Sequence, residues 1–227
     1  MKRSGRLRQG LRRLLQPVRL GVLRRTRPLS DAWGFDRGTP VDRYYIEGFL
    51  AAHREDVRGR VLEVQDSGYT DRFGTGVLRR DVLDVDASNP RATIVADLAA
   101  ADGIPEGAFD CFILTQTLHL IYDFRAALGH AHRLLRPGGV LLATLPAVSR
   151  VSRGAAASDC WRFTPVAASA LFGEVFGPER VTVRAYGNVL TAVAFLSGMA
   201  REELSRRDLE ARDESFPVIV AVRAVKA

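Results

Sequence analysis

The chain has 227 residues, 47% of them hydrophobic and 26% charged, enough to enclose one sizeable core and too few for two comfortable domains. Two cysteines, Cys111 and Cys160, exclude a disulfide framework and a cysteine-based zinc site, and the longest apolar stretches, near 139–148 and 189–200, fall short of the roughly 18 residues a membrane-spanning helix needs. The formal charge of +7 is carried by ten Lys and Arg within residues 1–30, which hold no acid, so residues 31–227 come to −3.

The basic arm, residues 1–30, comes first. Leu7, Leu11, Leu14, Leu15 and Val18 recur at helical spacing among arginines until Pro17 interrupts them. A basic amphipathic segment of this kind offers a peripheral contact with an anionic membrane through residues 1–27; a nucleic-acid partner is not expected. A solvated extension and an Arg-rich transit peptide are the alternative readings. The expected setting is cytoplasmic, peripheral at most to the inner membrane surface.

Residues 31–58 open on the turn-rich AWGFDRGTPVDR and continue as a helix, YYIEGFLAAH, that buries Ile46, Phe49 and Leu50. Gly59 ends it, and Val61 to Val64 reads as the first central strand. Further strands are expected at 77–86, 92–97, 109–114, 140–145, 181–186 and 218–225, with helices at 124–135, 165–172 and roughly 189–210. The stretch 109–146 is a complete crossover. Phe112, Ile113 and Leu114 form the apolar run of a strand buried on both faces, and Asp123 offers an N-cap. Phe124, Ala127, Leu128, Ala131, Leu134 and Leu135 then keep helical spacing until Pro137 and Gly138-Gly139 turn the chain. Strands separated by helices imply a doubly wound α/β domain with a mostly parallel, seven-stranded sheet and right-handed crossovers.

The pattern FD, apolar strand, LHLIYD, helix, LLRPGGVLL resembles the second half of class I S-adenosylmethionine-dependent methyltransferases of the type 11 branch. VLEVQDSGYTDRFG resembles a variant first loop, E-x-x-x-x-x-Y-T-x-x-F-G, of methyltransferase domains encoded with glycan-synthesis enzymes. Tyr186-Gly187-Asn188 extends that likeness, which runs from about residue 33 to 226. The resemblance implies a methyltransferase domain over 31–227, a last strand inserted antiparallel beside the fifth, and S-adenosylmethionine as cofactor. It also implies an acceptor that is a sugar or other small polar molecule of surface polysaccharide or glycolipid synthesis.

The same resemblance nominates the cofactor-binding residues. The first loop supplies Glu63, Asp66, Ser67, Gly68 and Tyr69. Where the family has E-x-G-x-G-x-G, only Glu63 matches strictly; Ser67 is a small substitute, Gly68 is displaced by one, and Gln65 and Tyr69 depart. Asp84 matches the acid that accepts both ribose hydroxyls, with Asp81 and Asp86 as competitors. Asp97, followed by Leu98, matches the acid at the adenine amino group, or else caps residues 98–101. Gln116 lies in the Thr115–His119 stretch after the fourth strand, at the edge where open α/β sheets place ligands. Methyl transfer depends chiefly on alignment in a dry pocket. An alcohol acceptor adds the need for a base, for which His119 is the catalytic candidate, its alternative being simple packing. Trp161 and Arg162, after the small-residue loop 149–159, could serve the acceptor or pack, as could Tyr44 and Tyr45. His130 and His132 face different ways, and no metal is expected. A nicotinamide-dependent reductase is disfavoured because G-x-G-x-x-G is missing. A degenerate binding or scaffold module remains the alternative because of the altered first loop.

Overall fold

The computed structural model describes residue 21 and residues 24–154 and 156–227; the helical expectation for residues 7–18 lies outside them. In chain order the elements are α1 (Val41–Ala52), β1 (Gly59–Val64), α2 (Gly68–Phe73), β2 (Val77–Asp84), β3 (Ile94–Val95), β4 (Phe109–Thr115) and α3 (Phe124–Leu134). Then follow β5 (Leu135–Pro146), α4 (Pro165–Phe176), β6 (Val181–Tyr186), α5 (Val189–Ser197), α6 (Arg206–Glu210) and β7 (Ile219–Val225). The strands form one seven-stranded sheet in the order β3-β2-β1-β4-β5-β7-β6. Only β7 runs against its neighbours, pairing antiparallel with both β5 and β6.

The two-residue period of the strands divides the apolar residues into two cores. Leu62, Phe112, Leu114, Leu141, Ala143 and Val222 face α3 and α4, which contribute Leu128, Leu134, Phe172 and Phe176. Val61, Cys111, Ile113, Leu142 and Ala221 face the opposite way, onto Ile46, Phe49 and Leu50 of α1 and Phe195 of α5. β4 lies between the two layers, and Phe112, Ile113 and Leu114 are at most 1% exposed. At about 1.5–3 kcal/mol for each fully buried large apolar side chain, this strand anchors the fold.

Local signals explain most boundaries. Asp123 accepts the Ala126 N–H at 3.0 Å and starts α3, and Thr164 accepts the Ala167 N–H at 3.2 Å ahead of Pro165 at the first turn of α4. Four expectations shift. The turn expected at Pro137 and Gly138-Gly139 is taken up inside β5, which already begins at Leu135, as an irregularity in its register with β4 where Gly138 adopts φ 76°. The strand expected over 77–86 ends at Asp84, because the Asp84 carboxylate takes the Asp86 N–H at 3.0 Å and turns the chain. The strand expected over 92–97 is paired only at Ile94–Val95. The long helix over 189–210 is interrupted: Gly198 adopts φ 73°, closing α5, and Ser205 caps the separate α6 through the Asp208 N–H.

Candidate active site

The carboxyl ends of β1, β2 and β4 converge on one cavity of about 1010 Å³, at the upper end of the range for small-molecule sites. β1 delivers Glu63 to its floor. This side chain is 3% exposed and accepts from the Tyr69 N–H at 3.0 Å, the Thr70 N–H at 2.8 Å and the Thr70 hydroxyl at 2.7 Å. Both oxygens therefore fix the first turn of α2, and burial pushes the carboxyl up to about 7 against those hydrogen bonds. Gln65 follows in the left-handed region, φ 72°, where the family loop carries glycine. Asp66 takes the Gly68 N–H at 2.8 Å. Ser67 stands outside the lining, its hydroxyl directed to Asp71 at 3.1 Å.

Tyr69 and Gln65 both form part of the wall, and neither fills the space. Tyr69 is held back by Arg43 of α1, whose Nη1 donates to its hydroxyl at 2.7 Å, and its ring stacks on Phe73 with centroids 6.2 Å apart. Arg43 is a lining residue that sequence reading missed; its reach from α1 into the first loop is long-range and leaves no local signal.

The three competing acids of β2 part company. Asp84 lines the cavity, accepting from Asn89 Nδ2 at 2.6 Å. The same Asn89 amide donates to the Gln65 carbonyl at 2.8 Å, tying the first loop to the end of β2. Asp81 is buried away from the cavity in a cluster with Arg60 at 2.7 Å and Arg79 at 3.0 Å. Asp86 is exposed and accepts the Ser88 N–H. Asp97 both lines the cavity and caps the turn Leu98–Ala100, taking the Ala99 N–H at 2.8 Å, so its two readings coexist in one side chain. Leu98 and Gln116 also line the wall; Gln116 holds φ 47°, and its Nε2 donates to the Thr144 hydroxyl at 3.4 Å.

His119 stands off this wall. Thr117 and Leu120 on either side of it line the cavity, but its own side chain does not. Its Nδ1 is buried without a partner among the described residues, and its carbonyl accepts from Cys160 N–H at 2.9 Å and Trp161 N–H at 3.1 Å. Burial pulls the imidazole down to about 4, so it is neutral at pH 7. Trp161 is spent on packing: its indole N–H donates to the Ile121 and Tyr122 carbonyls, both at 3.2 Å, and its ring meets Phe124 edge-on. Arg162 pairs with Asp159. Tyr44 and Tyr45 border a separate groove. Two aromatics that sequence reading did not nominate, Phe35 and Tyr122, are 60% and 79% exposed at the cavity wall.

Asp66, Asp84, Asp97 and Asp123 outnumber Arg43 and Arg72 and make the lining electronegative, with Glu63 adding to it as it ionises, which favours a cationic ligand. Asp84 offers lone pairs to a diol, and Leu83, Val85, Leu98 and Ala99 offer an apolar slot for a flat ring. This donor set fits S-adenosylmethionine. Among the described residues no group of three or more His, Cys, Asp or Glu forms a metal site.

Comparison with known proteins places the fold. The sheet matches an S-adenosylmethionine-dependent methyltransferase from Archaeoglobus fulgidus, with a TM-score of 0.54, 11% identity, and coverage of 81% of this chain and 94% of that one. It also matches the 1,6-didemethyltoxoflavin-N1-methyltransferase of Burkholderia thailandensis, solved with S-adenosylhomocysteine bound, at a TM-score of 0.50 and 18% identity over 81% of this chain and 77% of that one. These likenesses show a Rossmann-like methyltransferase fold. A methyltransferase-domain family profile matches residues 76–143, from the start of β2 into β5. Fold and matched segment together support an S-adenosylmethionine-dependent methyltransferase, with S-adenosylmethionine as its cofactor. No curated protein matches the sequence.

Proposed function

We propose that the chain methylates an oxygen or nitrogen of a small polar acceptor, in particular a sugar hydroxyl of a surface polysaccharide or glycolipid precursor. The observation that carries this reading is the open cavity at the carboxyl edge, whose lining brings Glu63, Asp84, Asp97 and Gln116 together with exposed Phe35 and Tyr122. S-adenosylmethionine, when bound, supplies an electrophilic methyl group on a sulfonium. Asp84 would accept from the ribose hydroxyls and Asp97 from the adenine amino group, with Leu98 against the ring. Glu63, Asp66, Ser67, Gly68 and Tyr69 shape the first loop. Phe35 and Tyr122 give the acceptor flat apolar faces of the kind on which sugar rings stack. The glycan assignment is supported further by the first-loop pattern from Glu63 to Gly74.

An alcohol acceptor also needs a proton acceptor. We assign this to neutral His119, whose side chain lies off the cavity wall and would have to turn into the cavity to act. His119→Asn should then lower kcat on an alcohol acceptor about 100-fold while leaving cofactor affinity unchanged; an unaltered kcat removes the assignment.

Calorimetry with S-adenosylmethionine, S-adenosylhomocysteine and NADPH tests the central reading. Micromolar-range binding of the homocysteine product, weakened at least about tenfold by Asp84→Ala and by Asp97→Ala, is the expected result. Unchanged binding in both variants would show the cofactor placement to be wrong, and binding of none of the three compounds would favour a scaffold.

A further inference from the structure

We propose that the outer face of α5, with the arginines beside it, is a docking surface for an anionic lipid bilayer. Thr191, Ala192, Ala194 and Phe195 turn inward on this helix. Val189, Leu190, Val193 and Leu196 remain 52%, 46%, 40% and 42% exposed. At about 100° per residue these four fall within one arc of about 120°, a continuous apolar stripe rather than scattered surface residues. Val151, from the loop after β5 and 56% exposed, adjoins it: Val151 and Leu196 line the same groove, of about 420 Å³.

Charge decides the occupant. The groove is also lined by Arg25, Arg27, Arg150 and Arg153 against the single acid Asp31. Arg150 and Arg153 share that aspartate at 3.6 and 3.2 Å, whereas Arg25 and Arg27 are exposed and have no carboxylate partner among the described residues. The chain also enters the domain here. The Leu29 N–H donates to the Ser197 carbonyl at 2.7 Å, and a Cβ on Gly198 would lie 2.6 Å from the Ser30 carbonyl oxygen. Residues 1–20, with seven Lys and Arg and no acid, are thus tethered at the end of the stripe. Arginines at the groove repel an arm of that charge, which argues against the arm folding over α5, and a second copy would bring two basic rims together. Both arm and rim are drawn to one anionic surface, into which the apolar stripe can sink; each basic side chain near such a surface contributes about fivefold in affinity.

The loop after β5 links this face to the cavity, because it carries Val151 on the docking side and Ser158 on the cavity wall. A bilayer docked on α5 would meet the same loop that borders the cavity, which suits an acceptor anchored in lipid. That consequence rests on the methyltransferase reading; the docking does not.

The test is co-sedimentation of the full chain with phosphatidylcholine vesicles and with vesicles containing phosphatidylglycerol, at low and high salt. Circular dichroism melts check that each variant is folded. Binding only to the anionic vesicles is expected. Leu190→Glu/Val193→Glu and Arg25→Glu/Arg27→Glu should each weaken it at least about tenfold. Leu11→Glu/Leu14→Glu in the arm should weaken it less and leave a residue that high salt removes. Wild-type sedimentation of the α5 variant overturns the proposal, as does loss of all binding through the arm variant alone. Stronger binding by the arm variant would instead show that the arm covers α5. A lipid-free dimer that dissociates in Leu190→Glu/Val193→Glu would assign the stripe to a second copy. The dimer result replaces the bilayer as occupant, and stronger vesicle binding by the arm variant overturns the claim that the basic rim keeps the arm off α5.

Discussion

Replacing Glu63 with glutamine sets two opposing effects at one buried carboxyl against each other. Burial pushes this group from an ordinary 4.5 up to about 7, although three donors on α2 favour its ionised form. With the folded value above the unfolded one, the native protein keeps a proton that the unfolded chain releases. The associated stability is therefore complete below about pH 4.5 and is lost as pH rises through about 7. Between pH 5 and pH 8 the loss comes to about 2.5 kcal/mol, at about 1.4 kcal/mol per unit over which the two states differ in protonation. Glutamine cannot titrate and removes this slope. Its carboxamide oxygen can still serve Thr70, but its NH₂ then faces the Tyr69 N–H, leaving that donor unsatisfied at a cost of about 1–3 kcal/mol. Wild type should lose about 2.5 kcal/mol relative to the glutamine variant between pH 5 and pH 8. Urea unfolding followed by circular dichroism at pH 5, 6, 7 and 8 measures both curves. Parallel curves would refute the claim that desolvation outweighs the three hydrogen bonds.

Gln65→Gly should raise stability by about 0.5–1 kcal/mol, because φ 72° strains a residue with a Cβ; a lower denaturation midpoint would contradict it. Gly198→Ala should cost about 1–3 kcal/mol, through φ 73° and the approach to Ser30, and is read by the same unfolding experiment. Asp81→Asn should lower stability by about 1.5–3 kcal/mol, by weakening bonds to Arg60 and Arg79, while calorimetry finds S-adenosylhomocysteine affinity unaltered; a large affinity loss would return Asp81 to the ribose site. Phe112→Ala, at a position with no exposure, should cost about 3–5 kcal/mol, and a loss below 1 kcal/mol would show that the core can collapse around β4.

Much of the fold is written in local chemistry. The apolar run at Phe112–Leu114, the Asp123 cap and the helical spacing through Leu134 depend on neighbours a few residues apart, so they can be read along the chain. The break at Gly198 could not be read, because the apolar spacing continues up to it and what stops the helix is a left-handed glycine packed against Ser30, 168 positions earlier. The site was legible to the extent that strand ends are: Glu63, Asp84, Asp97 and Gln116 each lie at or just past the end of a strand and meet at one edge. Arg43 and Phe35 escaped because each reaches the cavity from a segment that sequence places far from it.

From the sequence by itself came the order of strands and helices, the reversed final strand through its family likeness, and the concentration of basic charge in the first 30 residues. Periodicity and capping act over one or two turns of chain, and a linear reading captures them. Only the tertiary structure decided which of Asp81, Asp84 and Asp86 faces the cavity, that Glu63 is committed to α2, that His119 stands behind the wall, and that the outer stripe of α5 lies bare beside four arginines. Those outcomes depend on which way a side chain points once the sheet is assembled, and on the charges and donors that other strands bring to it.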